Sequence, residues 1–168
     1  FGTSAGLKTP SYLMTYAEVM FIKAEAAERS LGGLSPSEAE ADYDAGIVAS
    51  MNQWGITDDV AINAYLARPD VAYKGGLAGL KQIAWQKWVA LFTDGGTAWS
   101  EWRRTCIPNL RPGPGAILDY VPRRFVYSPT EASVNATNRY AASARQGPDN
   151  NATRIDWDTK PENAPTCQ

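Results

Sequence analysis

At 168 residues the chain is long enough for one compact domain that buries about two-thirds of its unfolded surface. Hydrophobic residues at 44% against 20% charged make an ordinary globular composition, which argues against wholesale disorder. A formal net charge of -2 gives no electrostatic reason to bind phosphate backbones, so no nucleic acid partner is expected, and the absence of histidine excludes imidazole zinc sites and Ser-His-Asp or Cys-His chemistry within the chain.

From Ser11 to Leu31 the apolar residues Leu13, Ala17, Met20, Phe21, Ala24, Ala27 and Leu31 recur at three- and four-residue steps, the period of one helix face. Pro10 suits a helix start, and Gly32-Gly33 supplies positive-φ residues to turn the chain away. Ser35-Pro36-Ser37-Glu38 then places Ser at the N-cap, Pro at the first helical position and Glu at the third, the pattern of a capping box. Tyr43, Ile47, Met51 and Trp54 continue this second helix, and Gly55 stops it. Two amphipathic helices joined by a short Gly/Ser loop predict an antiparallel pair. The Ala-rich register AEAAERSLGG gives the pair a tetratricopeptide-like character. About three such units are needed to bury one another's faces, so missing partners are expected upstream of Phe1.

Between Thr57 and Lys74 the pattern is less regular, with Asp58-Asp59 as a cap, a short helix over 61–67 and a break at Arg68-Pro69-Asp70. From Gly76 to Phe92 a wide apolar stripe of Leu77, Leu80, Ile83, Ala84, Trp88 and Leu91 predicts a helix that ends at Asp94-Gly95-Gly96. Thr97 is then the expected cap of a short helix carrying Trp99, Trp102, Arg103 and Arg104. After Thr105, Pro108, Pro112, Gly113, Pro114 and Gly115 remove any helical period to about Pro129. A last helical stretch is predicted from Thr130 to Ala144, followed by a polar, mostly extended tail. The expectation is therefore a single all-α region: helical over 11–104, irregular with a short helix over 105–145, extended over 146–168.

No apolar run reaches the ~18 residues of a membrane span, and Phe1-Gly2-Thr3-Ser4 lacks the segments of a signal peptide. A chain that opens without Met, directly in loop chemistry, is expected to be a piece of a longer protein. Cys106 and Cys167 are too few for a metal cluster, and their separation leaves a disulfide in an oxidising compartment open. Neither metal nor cofactor is expected.

Among chemistry-bearing residues, Trp85, Trp88, Trp99 and Trp102 have rings suited to stacking on sugars, yet helical spacing favours a core role. Arg103-Arg104 has the geometry to clamp an anion, but at a helix C-terminus the pair is better used on the last carbonyls. Glu25 and Glu28 are the residue type of a glycosidase acid/base pair. With Arg29 and Lys23 beside them, a salt-bridged face is favoured. Asn135-Ala-Thr137 and Asn151-Ala-Thr153 match the N-glycosylation pattern, which is short enough to arise by chance.

Four islands carry a resemblance: YLMTYAEVMFIKAEAAERS at 12–30, YDAGIVASMNQWGI at 43–56, IAWQKWVALFTDGGTAWSEWRRT at 83–105 and VPRRFVYSPTEASVNATNRYAAS at 121–143. In order and spacing they resemble the C-terminal region of the SusD/RagB family of outer-membrane nutrient-binding lipoproteins of Bacteroidetes. Departures are Cys106, where the family commonly has glycine, and Ile155-Asp156-Trp157-Asp158, which lacks one aromatic of a Trp-Trp-Asp ending. The resemblance implies tetratricopeptide-like helix pairs with an irregular Pro/Gly-rich segment packed on them. It also implies a lipid anchor at the cell surface, a glycan or other nutrient ligand, a SusC-like TonB-dependent transporter as partner, and no bond chemistry.

Positions that match its motifs, Arg103, Arg104, Arg123, Tyr127 and Asn135, read as scaffold, since buried Arg and Asn satisfy backbone groups of irregular segments. Glycan contacts are expected instead among aromatics outside the motifs, Tyr120, Tyr65 and Tyr73, with Arg111 as a polar neighbour. The rival reading is a tetratricopeptide-like protein interaction scaffold without a nutrient ligand; a glycoside hydrolase fragment is a third.

Overall fold

A computed structural model describes residues 12–158, which contain seven helices and no strand. The fold is all-α, as the periodicity predicts. The chain divides into two compact units, Phe1–Ala98 and Trp99–Gln168.

In the first unit, α1 (Tyr16–Glu28) is shorter at both ends than the apolar period suggests. Ser11 lies outside the described residues. The Thr15 hydroxyl accepts the Glu18 amide at 3.1 Å and so fixes the start at Tyr16, five residues beyond Ser11. At the other end Ser30, at φ 54°, takes the left-handed position expected of Gly32-Gly33. The Leu31 amide donates to Ala26 O at 2.8 Å and the Ser30 amide to Ala27 O at 2.9 Å, closing a Schellman turn. The loop then meets α2 (Pro36–Gln53), whose capping box is present: the Ser35 amide donates to the Glu38 carboxylate at 2.9 Å. Gly55 ends α2 by the same turn geometry, at φ 82°, with Ile56 N–H on Met51 O at 3.0 Å.

Small residues let α1 and α2 approach. Ala24, Ala27 and Ala39 are fully buried, and Gly46 lies directly under the Phe21 ring. Phe21, Tyr43 and Ile83 are the largest fully buried side chains, each contributing about 1.5–3 kcal/mol if its burial is counted as transfer from water. The Tyr43 hydroxyl, buried with its ring, donates to Val71 O at 2.9 Å and ties the segment after α3 (Asp59–Leu66) to the core. The helix α4 (Gly76–Ala90) completes the core against α1 and α2.

The helix α5 (Gly95–Thr105) begins in the first unit and ends in the second. Its cap is Asp94, not Thr97: the Asp94 carboxylate accepts the Thr97 amide at 3.1 Å and the Thr97 hydroxyl at 2.7 Å. Gly95 and Gly96, expected as a terminator, form the first turn, because a carboxylate three residues ahead of Thr97 satisfies the free amides better than a hydroxyl inside the turn.

In the second unit the expected irregular stretch runs from 106 to 128. The single helix predicted from Thr130 to Ala144 is two, α6 (Pro129–Val134) and α7 (Ala136–Gln146). Asn135 separates them at φ -143°, its side chain donating to Glu131 at 2.9 Å and accepting from Asn138 at 2.6 Å. The tail is not extended where described: Asn150 Oδ1 accepts the Ala152 and Thr153 amides, each at 2.9 Å, in a tight turn. Residues 159–168, with Cys167, lie outside the described residues; Cys106 is disulfide-bonded.

Candidate functional site

Each unit carries one cluster of chemistry-bearing side chains. In the first, two of the expected glycan contacts are engaged in packing. Tyr73 lies against Tyr43 with ring centroids 5.1 Å apart, covers Gly79, and donates its hydroxyl to Glu28 Oε2 at 2.5 Å. Burial first, then the Glu28 carboxylate, push the Tyr73 phenol well above its ordinary range, so it stays a donor at neutral pH. Tyr65 sits on α3, packs against the same core and accepts from Gln86 Nε2 at 3.0 Å. Tyr65 and Tyr73 therefore flank one core, with Arg68 over the Tyr65 ring at 5.5 Å.

The acidic pair on α1 is split between two tasks. Glu25 accepts from Arg29 at 2.9 Å, while Glu28 takes both the Tyr73 hydroxyl and the Gly76 amide, the latter at 2.5 Å. Lys23 does not join them but pairs with Asp42 on α2 at 2.9 Å. Two carboxylates occupied in this way do not frame a glycosidic bond.

Sequence spacing missed the aromatics that this unit exposes. Trp85, expected in the core, is 48% exposed, and Trp88 beside it is half-buried. Trp54, 50% exposed, meets Phe92, 68% exposed, edge to face at 5.3 Å. Trp88, Val89, Leu91, Phe92, Thr93 and Ala98 line an open groove of about 330 Å³.

The second unit's cluster is built from arginines. Arg103, buried, lies between the rings of Trp99 and Trp157, at 5.0 and 4.3 Å from their centroids. Its guanidinium donates to Asp158 Oδ2 at 3.1 Å, and Arg123 donates to both oxygens of the same carboxylate, at 2.8 and 2.6 Å. Burial lowers the Arg103 pKa, and Asp158 opposes that shift. Arg104 pairs with Glu101 one turn back. Arg124 and Arg139 share Asp149, which also accepts the Tyr127 amide at 3.0 Å. That amide, with the two arginines, holds the Asp149 carboxyl below the usual carboxylate range against the opposing effect of burial. The scaffold role expected of Arg103, Arg104, Arg123, Tyr127 and Asn135 thus has a physical form. Arg103, Arg123 and Tyr127 tie the irregular segment to α5, α7 and the tail by ion pairs, stacking and hydrogen bonds, while Arg104 pairs within α5 and Asn135 bonds Glu131 and Asn138 at the α6–α7 junction.

Tyr120 and Arg111 stand apart from this network on the irregular segment. Tyr120 is half-buried, Arg111 is exposed, and neither has a hydrogen-bond partner among the described residues. Among the described residues no group of His, Cys, Asp or Glu is arranged to hold a metal.

Residues 3–128 match a SusD-like family model described as "Starch-binding associating with outer membrane". A solved structure described as "Bacteroidetes AC2a SusD-like" is 32% identical with a TM-score of 0.78, over 90% of this chain and 31% of that one. The structure of a chitin-binding protein is 28% identical with a TM-score of 0.71, over 86% of this chain and 33% of that one. The chain spans about a third of the length of the structures it matches. No curated protein matches it.

Proposed function

Because this chain belongs to the SusD-like family, we propose that the protein is a non-catalytic, glycan-binding lipoprotein of the outer membrane, which holds carbohydrate at the cell surface for a SusC-like TonB-dependent transporter. The observation that carries the reading is the match over residues 3–128 to a starch-binding family, with a chitin-binding protein among the similar structures. The chemistry is consistent with capture and not bond cleavage: the chain has no histidine, and Glu25 and Glu28 are each occupied by neighbours. The family description associates its members with the outer membrane, and the reading assigns attachment to a lipid anchor.

Of the four expected glycan contacts, Tyr120 and Arg111 are the pair we assign to the ligand. A ring offers a face to sugar C–H groups and a guanidinium offers donors to hydroxyls, and neither group is hydrogen-bonded among the described residues. Tyr65 and Tyr73 contribute through ring edges at most, their hydroxyls being bonded. Calorimetric titration with α-1,4-glucan and chitin oligosaccharides tests the reading. Binding of either, weakened about two- to tenfold by Tyr120→Ala, supports it, since an aromatic contact is worth about 0.5–1.5 kcal/mol. Failure to bind any glycan, with retention of a peptide partner, favours the interaction-scaffold reading.

A further inference from the structure

Two helices of the first unit carry apolar residues on both sides. On α1, Ala17, Phe21, Ala24 and Ala27 are buried, while Val19 and Ile22 on the opposite side are exposed. On α4, Ile83, Ala84 and Ala90 are buried, while Trp85 and Val89, spaced i and i+4, are exposed, and Phe92 at i+7 extends the same stripe past the C-cap. A surface helix needs one apolar stripe; a helix apolar on both sides belongs between two layers. Exposed aromatics gathered around a groove are also the composition of an interface core and not of a solvated surface.

The groove's chemistry narrows the occupant. A sugar site sets several convergent polar side chains around its aromatic platform. Among the described residues, the Thr93 hydroxyl and the Trp88 indole N–H are the only polar side-chain groups on the lining, and the carboxylate of Asp94, next in sequence to Thr93, is occupied by Thr97. At about 330 Å³ the groove is also at the lower end of the ~300–1,000 Å³ of ligand pockets, a size suited to a few apolar side chains. The similar solved structures are about three times as long as the stretch this chain covers, and helix pairs of this kind bury their faces on one another.

We propose that the Trp88–Phe92 groove and the outer stripe of α4 seat the apolar face of an amphipathic helix from a further helical pair of the same protein. This makes α4 an interior helix, with Trp54, Trp85 and Phe92 as its anchors. Apolar residues of the incoming helix at i, i+3 or i+4, and i+7 enter the groove and lie along the stripe, the spacing by which helices are read in grooves.

The test is maleimide labelling of Val89→Cys, a mild change at a half-exposed position, with the unsubstituted protein as blank and Glu40→Cys, on the polar face of α2, as reference. Labelling is followed in the 168-residue chain and in the same chain extended by its native flanking sequence. Labelling of Val89→Cys slowed about tenfold or more in the extended protein, with Glu40→Cys unchanged, supports the seat. Equal rates overturn it. Slowing that appears only as the 168-residue chain is concentrated assigns the groove to a second copy, and slowing by added chito- or malto-oligosaccharide assigns it to sugar; both overturn the proposal. The outcome is independent of the glycan titration, so either reading can fail alone.

Discussion

Replacing Gly46 by alanine adds one methyl at the closest approach of α1 and α2. The Cβ would meet Cε1 and Cζ of Phe21 at 2.8 Å and Cδ1 at 2.9 Å, well inside van der Waals contact. Phe21 has no exposed surface, and its ring is held against Tyr43 at 6.2 Å, so it cannot swing away. Overpacking of a core costs about 1–3 kcal/mol, and a clash with three atoms of an immobile ring belongs at the upper end. Alanine in a helix interior returns about 1 kcal/mol over glycine. The net loss is therefore about 2 kcal/mol, or a fall of about 8–16 °C in Tm for a unit of this size, read by circular dichroism melts. Phe21→Leu removes the offending atoms, so the double variant should be less destabilised than the sum of the single ones, by about 1 kcal/mol. Gly96→Ala on α5, whose Cβ would meet only Asp94 Oδ1 at 3.8 Å, should be neutral or stabilising by up to about 1 kcal/mol. An unchanged or raised Tm for Gly46→Ala, or strict additivity with Phe21→Leu, refutes the claim that close helix approach sets this core.

In the second unit, Asp158→Ala strips the carboxylate shared by the buried Arg103 and Arg123 guanidiniums and should cost about 3–5 kcal/mol, seen as a lower guanidinium chloride midpoint by tryptophan fluorescence; an unshifted midpoint counts against the network. Acid should act on the same unit through Asp149. Its folded pKa is depressed, so its stabilisation is complete above the unfolded value of ~3.9 and is lost as pH falls through the folded one; Asp149→Asn should flatten that acid limb of a pH series of melts. The first unit should respond to alkali, because burial raises the Tyr43 and Tyr73 phenols. Their contribution is complete below the unfolded value of ~10 and is lost as pH rises beyond it, so Tm should hold through neutrality and fall above pH ~10, less steeply in Tyr73→Phe; a flat profile sinks this account.

What was legible in the chain was what is decided locally. The capping box at Ser35 and Glu38 and the glycine stop at Gly55 depend on residues within one turn, and both stand where the pattern predicts. Ser30 and Asn135 escaped because their departures from helix are made by residues that also occur inside helices, and only the bonds they form reveal the turn. The Arg103 stack was out of reach for another reason. Its partners Trp157 and Asp158 lie more than fifty residues along the chain, and no periodicity links them to α5. Tyr73 read as a loop aromatic because nothing nearby in sequence announces that Gly79 leaves room for its ring or that Glu28 receives its hydroxyl.

Trp85 and Trp102 separate two kinds of knowledge. Both stand at helical spacing, and both are the bulky aromatics that cores favour; Trp102 is 4% exposed and Trp85 is 48% exposed. Spacing along a helix says which residues share a face, but it carries no information on where the covering surface comes from. A stripe reads the same whether its partner is the next helix of the same segment or one far off in a longer polypeptide. Under the proposed seat, the mismatch between apolar spacing and exposure marks where this stretch's own core ends. On α1 that border runs between Phe21 and Ile22, on α4 between Ala84 and Trp85, neighbours in sequence that point to opposite layers. Under the seat proposed for α4, the face on which Trp85 stands is the one that takes the incoming helix.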